Sequence, residues 1–116
     1  MKYMLIIGNE SSPWWNEQDP AAMGETGKAH QEFAAWCAER GTAIVSGAAL
    51  GSPATAKTIR QQDGEFLITD GPHADLKESI GGFYVVDVAG FDDALEVARH
   101  CPMDPRYGIE VRTVEM

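Results

Sequence analysis

Basic residues are scarce in this sequence. Lys and Arg number 9 against 18 Asp and Glu, so the 116 residues carry a formal net charge of −9. Proteins dedicated to nucleic acids need cations that displace the counterions around phosphates, and anionic membrane surfaces attract the same residues. The charge therefore excludes both classes as leading interpretations.

Cysteine is also rare. Cys37 and Cys101 lie far apart, and neither belongs to a CxxC or CxxH spacing. This excludes a disulfide framework and a zinc site and predicts two reduced, buried thiols. The apolar run at residues 3–7 is too short for a signal peptide or a membrane span. We expect a cytoplasmic protein, and no spacing in the sequence predicts a cofactor or a bound metal.

The composition is that of an ordinary globular protein, with 44% hydrophobic and 23% charged residues. The length predicts one domain that comprises residues 1–116. A chain of this size buries only about two-thirds of its unfolded surface. Self-association would bury more apolar surface, and the sequence is therefore compatible with an oligomer.

The periodicity of apolar residues predicts two helices among six short strands. The strands are expected at residues 3–7, 42–49, 55–60, 65–69, 82–88 and 108–114, and the helices at residues 26–40 and 92–101. Residues 9–27 are expected to form a long loop, and Asp92 or Asp93 to cap the second helix. Asp63-Gly64 indicates a tight hairpin turn. Two helices on one face of a mostly antiparallel sheet give an α+β, ferredoxin-like sandwich with an inserted β-hairpin.

Several segments, above all the Thr69-Asp70-Gly71-Pro72 turn, resemble the YCII-related family and its branch named for an Asp-Gly-Pro-Phe motif. The other matching segments are residues 1–7, 54–60, 77–78, 81–84 and 109–112. His73 stands where the motif has Phe. The resemblance implies a ferredoxin-like fold that pairs as a dimeric α/β barrel, and so a homodimer. The large residues on both faces of the strand at 82–88 also favour facing sheets.

The turn that carries the resemblance is the first candidate for chemistry. Asp70 beside His73 is suited to hold the imidazole in one tautomer for proton transfer. The alternative is turn chemistry alone, in which Asp70 binds nearby amides and Gly71 accepts a positive φ. His73 is then an ordinary loop residue.

His30 is the second candidate, because it lies one position from the Ala29–Phe33 stripe of the first helix, where it can face the space between helix and sheet. The resemblance implies that a histidine in this helix is an acid/base group. The alternative is a boundary histidine with a satisfied hydrogen bond. His100, in the last turn of the second helix, is interpreted as structural.

Three further residues are candidates for substrate binding. Arg60 is suited to bind a carboxylate with two hydrogen bonds, and Lys77 and Glu78 lie between the turn and the next strand. Surface ion pairs are the alternative for all three. Gly81-Gly82 lacks the spacing of a phosphate loop and predicts a bulge or a close backbone approach.

Two functions follow from these residues. The first is a small-molecule pocket with acid/base chemistry of the lyase or isomerase kind, acting on a small cyclic or carboxylate-bearing compound, since a few relatives of the family resemble lactone isomerases and dehydrochlorinases. The alternative is a non-catalytic ligand-sensing or protein-interaction module. Genes of the branch often accompany alternative sigma factors, so the resemblance links that module to transcriptional regulation.

Overall fold

The computed structural model describes residues 1–10, 20–71 and 78–115. The helices are α1 (Pro20–Glu39) and α2 (Phe91–His100), with a short 3-10 turn at Pro53–Thr55. The strands, in chain order, are β1 (Lys2–Glu10), β2 (Ala43–Ala49), β3 (Lys57–Gln62), β4 (Glu65–Asp70), β5 (Glu78–Asp87) and β6 (Ile109–Thr113). The paired tryptophans Trp14 and Trp15 lie outside the described residues.

Four strands form one antiparallel sheet in the order β2-β5-β1-β6, and β3 and β4 form a separate two-stranded sheet. The predicted α+β class, with antiparallel strands, two helices and an inserted hairpin, is confirmed and is consistent with a ferredoxin-like fold. β5 lies at the centre of the sheet beside the edge strand β2, and this placement positions the site described below.

One face of the sheet carries the core. Tyr3 and Leu5 of β1 share that face with Val86 of β5, and all three are buried. The helices cover them with the residues that their periodicity predicted: Phe33 and Cys37 of α1, then Ala94, Val97, Ala98 and Cys101 of the α2 stripe. Both cysteines are free and buried, as expected. Burial, and next the neighbouring Cys37, raise the pKa of Cys101 to about 12.

Two predicted helix boundaries are wrong. α1 begins at Pro20 rather than near Thr26, so much of the expected loop at residues 9–27 is helical. Proline is favoured in the first turn of a helix, because the N–H group that it lacks would have no intrahelical acceptor there. The glycines of this stretch weaken the helix by about 1 kcal/mol each, but they do not prevent it.

The start of α2 is the second correction. Gly90 occupies the N-cap position and makes no side-chain capping hydrogen bond. Asp92 and Asp93, the predicted caps, instead lie within the first turn. Negative charge in the first turn lies near the positive end of the helix dipole, which stabilises the helix without a cap.

Turn chemistry was predicted more reliably. Asp63 and Gly64 connect β3 to β4 with φ values of 51° and 81°, the conformation that Asp-Gly favours in two-residue hairpins. Gly71 follows β4 with φ 102°, as its turn interpretation requires. Gly41 lies just after the end of α1 with φ 77°, which is typical of the residue that follows a helix C-terminus.

Aromatic stacking joins the two helices at their C-terminal ends. The rings of Trp36 in α1 and His100 in α2 are stacked, with centroids 3.8 Å apart. The Arg40 guanidinium lies over the Trp36 ring, 4.6 Å from its centroid. His100 is thus part of a structural helix contact. In the described part of the chain, neither helix combines the length and apolar character needed to cross a bilayer.

Candidate functional site

A histidine and a tyrosine from opposite layers meet at the seam between α1 and the sheet. His30 Nδ1 lies 2.7 Å from the Tyr84 hydroxyl oxygen. His30 projects from α1 and Tyr84 from β5, so a helix and the strand beside the sheet edge each supply one partner. The ring of Phe33, one turn after His30, packs against Tyr84 with centroids 5.1 Å apart. The buried Phe33 therefore holds the tyrosine from the core side.

The pair borders a cleft of about 790 Å³ between α1, β2 and β5. Among the described residues that line it, four are glycines and three are alanines. Ile7, Ile44 and Phe83 supply larger apolar surface, and Thr26, Ser46, His30 and Tyr84 supply the polar atoms. This volume lies within the usual range of small-molecule pockets, which are mostly apolar with a few polar groups. We call this space the His30 cleft.

Both members of the pair are held in their neutral forms. Burial lowers the pKa of His30 from the ordinary histidine value of 6.5. Burial, and next the neighbouring Cys101 and Cys37 thiols, raise the pKa of Tyr84. At neutral pH an imidazole therefore meets a phenol, and either His30 Nδ1–H donates to the Tyr84 oxygen or the Tyr84 hydroxyl donates to Nδ1. A neutral imidazole has one nitrogen with a free lone pair, which is the requirement for a general base.

The lowered pKa predicts how stability depends on pH. Unfolded His30 titrates near 6.5, above its folded pKa, so between the two values the unfolded state binds more protons. The contribution of His30 is therefore fully present above about pH 6.5 and is lost as the pH falls through the folded pKa. We expect the free energy of unfolding to decrease on acidification from pH 7 to pH 5 more in the wild type than in His30→Gln. Urea denaturation at a series of pH values measures both slopes, and equal slopes would contradict a buried neutral His30.

Asp70 lies elsewhere. It ends β4, on the two-stranded hairpin, and its carboxylate pairs with the Lys57 ammonium at 2.6 Å. Both side chains are largely exposed, and such pairs contribute less than about 1 kcal/mol. Asp70 does not line the His30 cleft, so the structure does not join these two predicted residues in one pocket. The adjacent Gly71 accepts a hydrogen bond from the Thr58 hydroxyl at 2.8 Å, which anchors the turn.

The remaining candidates are placed as follows. Arg60 lies in β3 opposite Leu67 and is exposed, outside the lining of the His30 cleft. Glu78 is the first residue of β5. His73 and Lys77 lie outside the described residues, so their proposed roles stay predictions. Within residues 1–10, 20–71 and 78–115, no group of three or more His, Cys, Asp or Glu side chains is arranged to hold a metal ion.

Tyr84 was not among the candidates from the sequence. In the sequence it is one of several large residues in an apolar strand. The signal that could have identified it is its phenol, which lies on the side of the strand that faces α1. Gly81 and Gly82 were predicted as a bulge or close approach, and both occur. The register of β1 and β5 shifts by one residue at Gly81, and a Cβ on Gly82 would lie 2.8 Å from the Ala48 carbonyl oxygen.

Fold and site together define a two-layer α+β domain with an antiparallel sheet and a His–Tyr pair at the seam with its first helix. Comparison with known families agrees with this class. The model of the YCII-related domain matches residues 1–115, so the chain belongs to the YCII-related family. It is also 32% identical over 102 residues to an uncharacterised protein of Rhizobium meliloti (strain 1021), covering 85% of this chain and 78% of that protein.

Proposed function

We propose that the His30 cleft binds a small cyclic compound with a carbonyl group and that His30 and Tyr84 move a proton on it. The observation that carries the proposal is the 2.7 Å contact between two neutral acid/base groups at the edge of a largely apolar cleft. Proton transfer beside a carbonyl is the step that lyases and isomerases of such compounds share. We also propose that the chain belongs to the Asp-Gly-Pro-Phe branch of its family, because Asp70-Gly71-Pro72 matches the first three residues of that motif.

The proposed roles follow from the hydrogen-bonding capacity of each group. His30 Nδ1–H donates to the Tyr84 oxygen, which leaves Nε2 with the lone pair that accepts a proton from carbon. The Tyr84 hydroxyl keeps its own proton and donates it to the carbonyl oxygen of the bound compound. The negative charge that develops on that oxygen is thus stabilised as the carbon loses its proton. His30 then returns the proton to carbon and regains its neutral form.

A neutral bicyclic ketone, 2-tetralone, tests this function directly. In D₂O we expect the wild type to exchange the α-protons of 2-tetralone faster than buffer, as followed by proton NMR. His30→Gln removes the base and should lower the protein-dependent rate about 100-fold, within the usual contribution of general acid–base catalysis. His100→Gln is the matched control, because it removes a histidine that belongs to the helix contact with Trp36.

The results separate the two functions considered. Exchange that depends on His30 supports the acid/base function. Binding of 2-tetralone, seen as shifted amide signals of Ala48 and Ala49 in the cleft wall, without exchange would favour the non-catalytic ligand-sensing alternative. If neither occurs, both forms of the proposal for this cleft are contradicted for cyclic ketones.

We also propose that the chain forms a homodimer through its exposed apolar hairpin. Ile59, Phe66 and Ile68 lie on one face of the β3–β4 sheet and are 60%, 69% and 67% exposed. A two-stranded hairpin is marginally stable by itself, and clustered apolar side chains in water mark an interaction surface. A second copy supplies the same patch, so a two-fold contact brings apolar surface against apolar surface.

A further inference from the structure

Gly47, in the edge strand β2, lies directly opposite Tyr84 in the antiparallel register. Paired residues of neighbouring strands point to the same face of a sheet, so a side chain at position 47 would project where Tyr84 projects. A Cβ there would lie 2.7 Å from Cδ1 of the Tyr84 ring, and 3.1 Å from both Cε1 of that ring and the Phe83 carbonyl oxygen. The ring therefore occupies the space that any side chain at position 47 would need.

The position of this ring decides where its hydroxyl lies. Phe33 packs against the Tyr84 ring from α1, with centroids 5.1 Å apart. On the side of the ring towards β2, the neighbouring group is the backbone of Gly47. Tyrosine has two side-chain torsions, so contacts on these sides fix the direction of the phenol. In that direction the hydroxyl oxygen lies 2.7 Å from His30 Nδ1.

We propose that Gly47 is a positioning residue. Because it has no side chain, the Tyr84 ring can lie against β2, and in this position its hydroxyl contacts His30. The proposal deepens the function proposed for the His30 cleft and rests on it for its chemical meaning. Gly47 itself lines the cleft and has no group that reacts. It acts through the tyrosine ring.

The substitution Gly47→Ala tests the proposal, and the first readout is the NMR titration of the His30 ring without any ligand. Displacement of the Tyr84 ring opens His30 to water and relieves the burial that lowers its pKa. We expect the titration midpoint of His30 to rise towards the ordinary histidine value. Exchange of 2-tetralone should fall about 10- to 100-fold, the effect of a small misplacement of a catalytic group.

Gly27→Ala is the matched control. Gly27 also lines the cleft, but a Cβ there meets nothing within 4 Å beyond the adjoining backbone of its own helix. We expect an unchanged His30 titration in this variant. An unchanged titration in folded Gly47→Ala, or equal changes in Gly27→Ala and Gly47→Ala, would overturn the positioning role. Because this readout needs no ligand, it is independent of whether 2-tetralone is bound or exchanged.

A double variant keeps the test decisive if Gly47→Ala does not fold. The atom nearest to the added Cβ is Cδ1 of the Tyr84 ring at 2.7 Å, whereas the Phe83 carbonyl oxygen lies at 3.1 Å, so Tyr84→Ala removes the closest contact. We expect Gly47→Ala with Tyr84→Ala to fold, as judged by circular dichroism and thermal melting. If the single variant is unfolded and the double variant is too, the clash lies with the backbone and the proposal is overturned.

Discussion

Replacement of Gly82 by alanine is expected to lower the free energy of unfolding by about 3 kcal/mol, the upper part of the range for overpacked sites. The added Cβ would lie 2.8 Å from the Ala48 carbonyl oxygen and 3.5 Å from the Ala49 Cα. These are backbone atoms of the neighbouring strand, so no side-chain rotation relieves the contact. β2 must move away from β5, or the end of β2 must lose its pairing.

Urea denaturation measures this effect, and amide hydrogen exchange locates it. Protection should be lost first at Ala48 and Ala49, which pair with Phe83 and Gly82. Gly51→Ala is the matched control, since a Cβ at Gly51 would meet the Thr55 hydroxyl oxygen at an ordinary 3.7 Å. A Gly82→Ala protein as stable as the control would show that the two strands are less closely spaced than described.

The sequence predicted much of this architecture because its signals are local. Apolar spacing located the buried faces of both helices, and the two-residue turn at Asp63 and Gly64 required only the residues themselves. The errors have the same origin. Pro20 at the start of α1 is compatible with a loop and with a first helical turn, and only the packing of the following residues on the sheet distinguishes them.

The candidate site was predicted in part for the same reason. His30 was identified from its place beside an apolar helical stripe, but its partner Tyr84 is 54 residues away in the chain. That pairing depends on how α1 packs over β5, which no local pattern encodes. Asp70 illustrates the converse, because its place in a recognisable turn suggested chemistry, whereas its described partner is the exposed Lys57.

Substitution of both Phe66 and Ile68 by glutamine is expected to weaken self-association at least 100-fold. In the proposed homodimer each copy buries these side chains, and burial of one large apolar side chain contributes about 1.5–3 kcal/mol. Glutamine removes this contribution without adding charge to a chain of net charge −9. Light scattering and sedimentation equilibrium at micromolar concentration should give twice 12.6 kDa for the wild type and 12.6 kDa for the double variant.

Leu67→Gln is the matched control for this change. Leu67 lies between the two substituted residues in β4 and is 45% exposed, but side chains alternate along a strand and Leu67 therefore points to the opposite face. Its substitution should leave the dimer intact. A monomeric wild type would contradict self-association altogether. A contact made by the face of Ile59, Phe66 and Ile68 should be weakened by substitutions on that face and not by a substitution on the opposite face. Equal weakening by Leu67→Gln would therefore mean that the contact depends on the hairpin as a whole.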